Sequence, residues 1–190
     1  MLTETTAPVI GAEALDELAR HLKIAAPLDA DAAAEMEGSF RAALAHLEAR
    51  LGLALLERSF QWRGGLGPEN AVTAPIGPVS AITAVELVLD DGGTEQLDLA
   101  DWRIDRGVLR TRFCSRRGVR DQVDISFVAG FGPDWIDTPP DLRLAAFMTA
   151  AHFFDNRHAT STNGADLLPL GVRDLIAPWR PVRIGLGAAA

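Results

Sequence analysis

The spacing of apolar residues changes period twice along this chain of 190 residues. Between Gly11 and Gly52 apolar side chains recur in threes and fours. From Leu53 to Val128 they recur mostly in twos, with glycine and proline punctuation. From Thr138 onward the threes and fours return. The first spacing belongs to helices with one buried face, the second to half-buried strands. Helices segregated from antiparallel strands predict an α+β fold. It has a helical body of two N-terminal and two C-terminal helices, with a small antiparallel β region between them.

Local signals refine that outline. Leu15, Leu18 and Leu22 form one stripe, with Glu13, Asp16 and Glu17 early and Arg20, His21 and Lys23 late, the order a helix dipole favours. Pro27 stops this helix. Asp29 or Asp31 caps a second, running to about Arg50 with the stripe Met36, Phe40, Ala43, Leu44, Leu47 and Leu51, and Gly52 ends it. Leu53–Arg63 reads as a strand that stops at the turn Gly64-Gly65-Leu66-Gly67-Pro68. Ala71–Ile76 is a short extended piece. Val79–Asp90, the turn Asp91-Gly92-Gly93 and Glu95–Leu99 form a hairpin. Residues 102–105 and 108–113 suggest another, and Val123, Ile125 and Phe127 alternate along a last strand. Thr138-Pro139-Pro140-Asp141 opens a long apolar helix to Asn156. A polar loop, His158–Gly164, precedes a short helix, Val172–Ala177, closed by Pro178-Trp179-Arg180-Pro181. Residues 1–10 read as a flexible N-terminal segment, 11–180 as one domain and 181–190 as an extended tail.

Little in the sequence points to chemistry. With 48% apolar and 23% charged residues the chain buries a real core. Its net charge of -8 opposes a phosphate-binding footprint. One cysteine, Cys114, excludes an internal disulfide and fits a reducing compartment. No apolar run approaches the roughly 20 residues of a membrane span, and no secretory leader is read at the start, so a cytoplasmic origin is expected. His21, His46, His152 and His158 lack metal-ligand spacing, so no metal and no cofactor are expected. Gly64-Gly65-Leu66-Gly67 lacks the Lys-Ser/Thr of a phosphate loop. Cys114, before Arg116 and Arg117, lacks a resolving partner. Two alternatives stay open. One is a small ligand-binding protein or enzyme using His152, Asp155 and Arg157. The other is a DNA-binding packaging accessory protein using the arginines Arg103, Arg106, Arg110, Arg112, Arg116, Arg117 and Arg120, although Asp101, Asp105 and Asp121 are interleaved with them.

Six phrases in order carry a resemblance. They are the helix Leu15–Ile24 with the acidic Ala-rich helix after it; Leu55-Leu56-Glu57-Arg58-Ser59-Phe60-Gln61-Trp62; Ala74-Pro75-Ile76-Gly77-Pro78-Val79-Ser80-Ala81-Ile82; Phe127-Val128-Ala129-Gly130-Phe131-Gly132 before Pro139-Pro140-Asp141-Leu142-Arg143; Ala151-His152-Phe153-Phe154-Asp155-Asn156-Arg157; and Leu168-Pro169-Leu170-Gly171-Val172 with Leu175-Ile176-Ala177-Pro178-Trp179-Arg180. Together they span nearly the whole chain. It resembles the head–tail connector (adaptor) family of tailed bacteriophages and gene transfer agents. It departs from the family's usual pattern at Phe153, where Trp or Tyr is common, and in the extra arginines of the central strands.

The resemblance implies a structural subunit and no enzyme. In that family the subunit forms a ring of roughly twelve copies beneath the capsid portal, through head-to-tail contacts that close. Its partners would be itself, the portal protein and a tail-side connector or stopper protein. DNA would pass through without sequence-specific binding, and no membrane is involved. The expected place is the head–tail junction of the virion or gene transfer agent particle. Portal docking would fall to the C-terminal segment, with Leu168, Leu170, Trp179, Arg180, Val182, Arg183 and Ile184. Acids at the head of the second helix, Asp29, Asp31, Glu35 and Glu37, would face the channel, where carboxylates repel phosphates.

Overall fold

The computed structural model describes residues 1–24, 29–67, 69–89, 92–106, 111–116, 122–156 and 168–180. Helix α1 (Ala12–His21) leads to α2 (Ala30–Leu51). Asp29 is the cap: its Oδ1 accepts the Ala32 N–H at 2.7 Å, satisfying a donor the first helical turn leaves free. Gly52 closes the helix at φ 67, a left-handed conformation that suits glycine. After the strands come α3 (Pro140–Asp155) and α4 (Leu170–Ile176), the latter running into a 3₁₀ turn at Ala177–Trp179.

The helices share one core. Along α2, Met36, Phe40, Leu44, Leu47 and Leu51 are buried, and they meet Leu142, Ala145, Ala146, Phe147 and Ala150 of α3. The alanines of α3 leave room for the large side chains opposite. Phe40 sits at the centre, edge-on to Trp135 at 5.2 Å and stacked near Phe147 at 5.7 Å, arrangements that suit the charge distribution of aromatic rings.

The strands build two antiparallel sheets around a second core. One has the order β1 (Leu2–Glu4), β2 (Arg58–Gly65), β8 (Gln122–Ala129), β4 (Val79–Val88), β5 (Thr94–Gln96). The other has β3 (Ala71–Thr73), β7 (Thr111–Ser115), β6 (Trp102–Arg106). Strand β8 is the spine. Its Val123, Ile125, Phe127 and Ala129 are fully buried, as alternation requires. Phe127 stacks on Phe60 from β2 and meets Phe113 from β7, which ties the two sheets together.

The α+β layout matches the sequence expectation; three local readings change. Strand β2 begins at Arg58, not Leu53. Residues 53–57 are an irregular crossover in which Ala54 belongs to the sheet core, and Leu55 and Leu56 to the helical core. A short apolar run buried on both sides carries no period to distinguish it from a strand. Gly64 and Gly65 are not a turn but the end of β2, opposite Val123 and Gln122. The Trp62 indole lies where a Gly64 side chain would be. Leu2–Glu4, read as part of a flexible segment, is an edge strand whose register sets Leu2 opposite Trp62 and Glu4 opposite Phe60. Three residues are too few for periodicity to show. The tail 181–190 and the loop 158–164 lie outside the described residues.

Candidate assembly surfaces

The C-terminal face grows from the packing of α4 on α3. Trp179 stands edge-on to Phe131 at 5.5 Å, and its Nε1 donates to Asp141 Oδ2 at 2.6 Å. This charge-assisted bond pins the 3₁₀ turn to the start of α3. Leu168 is buried in the helical core at 4% exposure, whereas Leu170 is 78% exposed and Arg180 also faces solvent. The expected docking segment therefore divides. Leu168 and Trp179 hold the fold, Leu170 and Arg180 point outward, and Val182, Arg183 and Ile184 lie outside the described residues.

The acids at the head of α2 also have distinct settings. Asp29 is engaged as the cap, and Asp31 is exposed. Glu35 and Glu37 are partly exposed, and Glu37 pairs with Arg41 one turn on at 2.6 Å. All four lie within the first two turns of one helix, an acidic end on the helical body.

The central arginines gather on the smaller sheet. Arg103, Arg112 and Arg116, with Glu69 and Asp105, line a cleft of about 390 Å³ whose wall includes Ala71 and the buried Cys114. Arg112 Nη2 lies 2.6 Å from Glu69 Oε2. That hydrogen bond, and then the guanidinium charge, hold the Glu69 carboxyl below its ordinary value. The side chain of Arg106, and Arg110, Arg117, Arg120 and Asp121, lie outside the described residues.

His152 does not meet Asp155 through a hydrogen bond. Its Nδ1 faces Asn156 Nδ2 at 3.2 Å on the outside of α3, and Arg157 lies outside the described residues. Among the described residues no group of three or more His, Cys, Asp or Glu gathers to hold a metal ion, and no helix is long and apolar enough to cross a membrane.

Two features escaped the sequence reading. The first is a buried ion pair joining the layers. Arg58 Nη2 meets Glu48 Oε2 at 2.8 Å, and Glu48 Oε1 takes both Arg58 Nη1 at 3.0 Å and the Leu55 N–H at 2.7 Å. Glu4 of β1 approaches Arg58 Nε at 3.1 Å. Burial opposes the Arg58 charge, but the hydrogen bond and charge of Glu48, helped by Glu4, outweigh it and hold the group above its ordinary value. Charges ten residues apart on a helix end and a strand carry no sequence signal of their meeting. The second is the turn before α3. There Ile136 is 63% exposed while its neighbour Trp135 is 6% exposed.

No protein-family model and no curated protein sequence matches the chain. Solved particle structures do. A chain in the neck of an empty gene transfer agent (GTA) particle, computed with C6 symmetry, superposes at a TM-score of 0.82 with 31% identity over 98% of both chains. A chain in the virion of a native gene transfer agent particle gives 0.81 with 34% identity over 98% of both. A chain in the neck of a native GTA particle computed with C12 symmetry gives 0.76, again with 34% identity and 98% coverage of each. The similarity thus takes in both cores.

Proposed function

The chain belongs to the head–tail connector family of tailed bacteriophages and gene transfer agents, and on that premise we propose that it is the adaptor that forms a ring beneath the capsid portal and joins it to the tail. The coarser statement, a structural component of the particle neck at the head–tail junction, comes from the neighbours themselves. The single observation that carries the finer one is end-to-end similarity to neck chains in assemblies of six-fold and twelve-fold symmetry. Cyclic symmetry is what a ring of identical subunits requires.

The work of such a subunit is geometric, and no bond is made or broken. Outward-facing Leu170 and Arg180, continuing into Val182, Arg183 and Ile184, are the docking surface for the portal. Arginine is enriched at such interfaces, and an exposed leucine adds apolar area to bury there. Asp29, Asp31, Glu35 and Glu37 approach the channel, where an acidic lining lets DNA pass without adhering. A tail-side connector or stopper protein binds the opposite face of the ring.

Electron microscopy of the purified protein mixed with its portal tests this reading. A ring of added density on the portal is the expected result. A portal that gains no density, or a particle that joins head to tail and delivers DNA without this chain, overturns it.

A further inference from the structure

A ring of identical copies with head-to-tail contacts must join two different patches of the same molecule. Two such patches are visible here, and they complement each other. One is the cleft on the β3–β7–β6 sheet. Arg112 is engaged there by Glu69, but Arg103 and Arg116 have no side-chain ion pair among the described residues. Part of its wall is apolar, from Ala71 and Cys114. The other is the 3₁₀ turn Trp135–Asp137 with Asp134 before it. This turn is fixed from beneath, because Trp135 is buried against Phe40 and Phe147. It is fixed from the side as well, because Asp137 Oδ2 accepts the Asp134 N–H at 3.2 Å. What it presents to solvent is Ile136, flanked by the exposed carboxylates of Asp134 and Asp137.

We infer that the Asp134–Asp137 turn of one copy seats in the Arg103–Arg112–Arg116 cleft of the next, making the subunit contact of the ring. The inference rests on the proposed ring of identical copies beneath the portal. Guanidinium groups grip carboxylates in fixed planar pairs, so two unengaged arginines suit two carboxylates on a rigid turn. Ile136 supplies the apolar centre that a charged rim surrounds in stable interfaces. The turn is anchored in the helical core and the cleft in the sheet core, so the two patches are separate. The cleft also holds the carboxylates of Glu69, engaged by Arg112, and of Asp105, so its capacity for an anion rests on Arg103 and Arg116.

Complementary variants test the contact. Arg103→Glu with Arg116→Glu reverses the cleft. Asp134→Arg with Ile136→Arg reverses the turn while sparing Asp137, which closes it. Each full-length variant is mixed with portal and ring occupancy is scored by electron microscopy, with circular dichroism confirming the fold. Ile136→Arg alone, at a side chain already in solvent, is the variant least able to disturb folding. Facing like charges should cut ring formation at least about tenfold for each variant alone. An equimolar mixture of the two double variants should restore it, because alternating copies then meet with opposite charges all round an even-numbered ring. Folded variants that each ring normally, or a mixture that stays unassembled, overturn the contact and leave the ring reading intact. A wild-type protein that forms no ring on portal overturns both. Low-salt DNA retention that is lost in the cleft variant, with its rings unchanged, reassigns the arginines to nucleic acid.

Discussion

At the scale of single residues, the fold depends most on groups whose environment leaves no alternative. Arg58 and Glu48 are both buried, so removing one strands the other charge in a poorly solvating interior. Arg58→Ala should cost about 3–5 kcal/mol in urea unfolding, whereas replacing the pair with methionine and leucine should recover most of that loss. If the single and double variants are equally unstable, the ion pair is not the source. Gly130, at φ 141, lies so close to Glu57 that an added Cβ would overlap its Cα and N. Gly130→Ala should therefore lose about 1–3 kcal/mol to backbone strain alone, with the overlap adding to it, read from the same unfolding curves. Glu69 titrates below its ordinary value because Arg112 favours the charged form. The contribution of this pair is therefore present above the ordinary carboxylate range and disappears as pH falls through the lowered folded value. In Arg112→Ala, the Glu69 carboxyl monitored by NMR should titrate higher than in the wild type.

At the scale of elements, the 3₁₀ turn after α4 is a latch. Trp179 holds it through one ring contact with Phe131 and one hydrogen bond to Asp141. Trp179→Ala should loosen residues 168–180 and expose them to limited proteolysis, with α2 and α3 still protected. Where docking is tested by truncation, this matters. A chain ending at Ala177 loses the latch together with the tail. A chain ending at Arg180 keeps the latch and removes only residues 181–190, Val182, Arg183 and Ile184 among them. The second chain should stay folded, with an unchanged melting temperature, while failing to bind portal. Unimpaired portal binding by that chain would place the anchor elsewhere. The elements that sequence revealed are those with long unbroken periods, as in α2 and β8. Those it missed are short or irregular, such as the strand Leu2–Glu4 and the crossover 53–57, where burial comes from neighbours distant in sequence.

At the scale of the whole molecule, helical and sheet cores are joined by the crossover and the Glu48–Arg58 pair, and the Thr138 hydroxyl fastens the crossover to the approach of α3 by donating to the Leu55 carbonyl at 2.9 Å. A subunit so tied presents its faces in fixed relation, as a closed ring demands. The order of phrases along the chain was enough to indicate the connector family, and end-to-end similarity to neck chains agrees. Of the candidate site, the four acids sit together at the start of α2, as their spacing in the sequence implied, and Leu170 and Arg180 are exposed. Leu168 and Trp179 were legible only as apolar residues near an end. Whether such residues face a partner or their own core depends on where α4 lands on α3, which no local pattern encodes. Periodicity, caps and turn residues determined the α+β class and the helix limits by themselves, because those depend on neighbours a few residues away. The pairing of β3 with β7, the burial of Arg58 and the cleft of arginines depend on residues tens of positions apart. Only the closed tertiary structure, which brings those distant residues into contact, decided them.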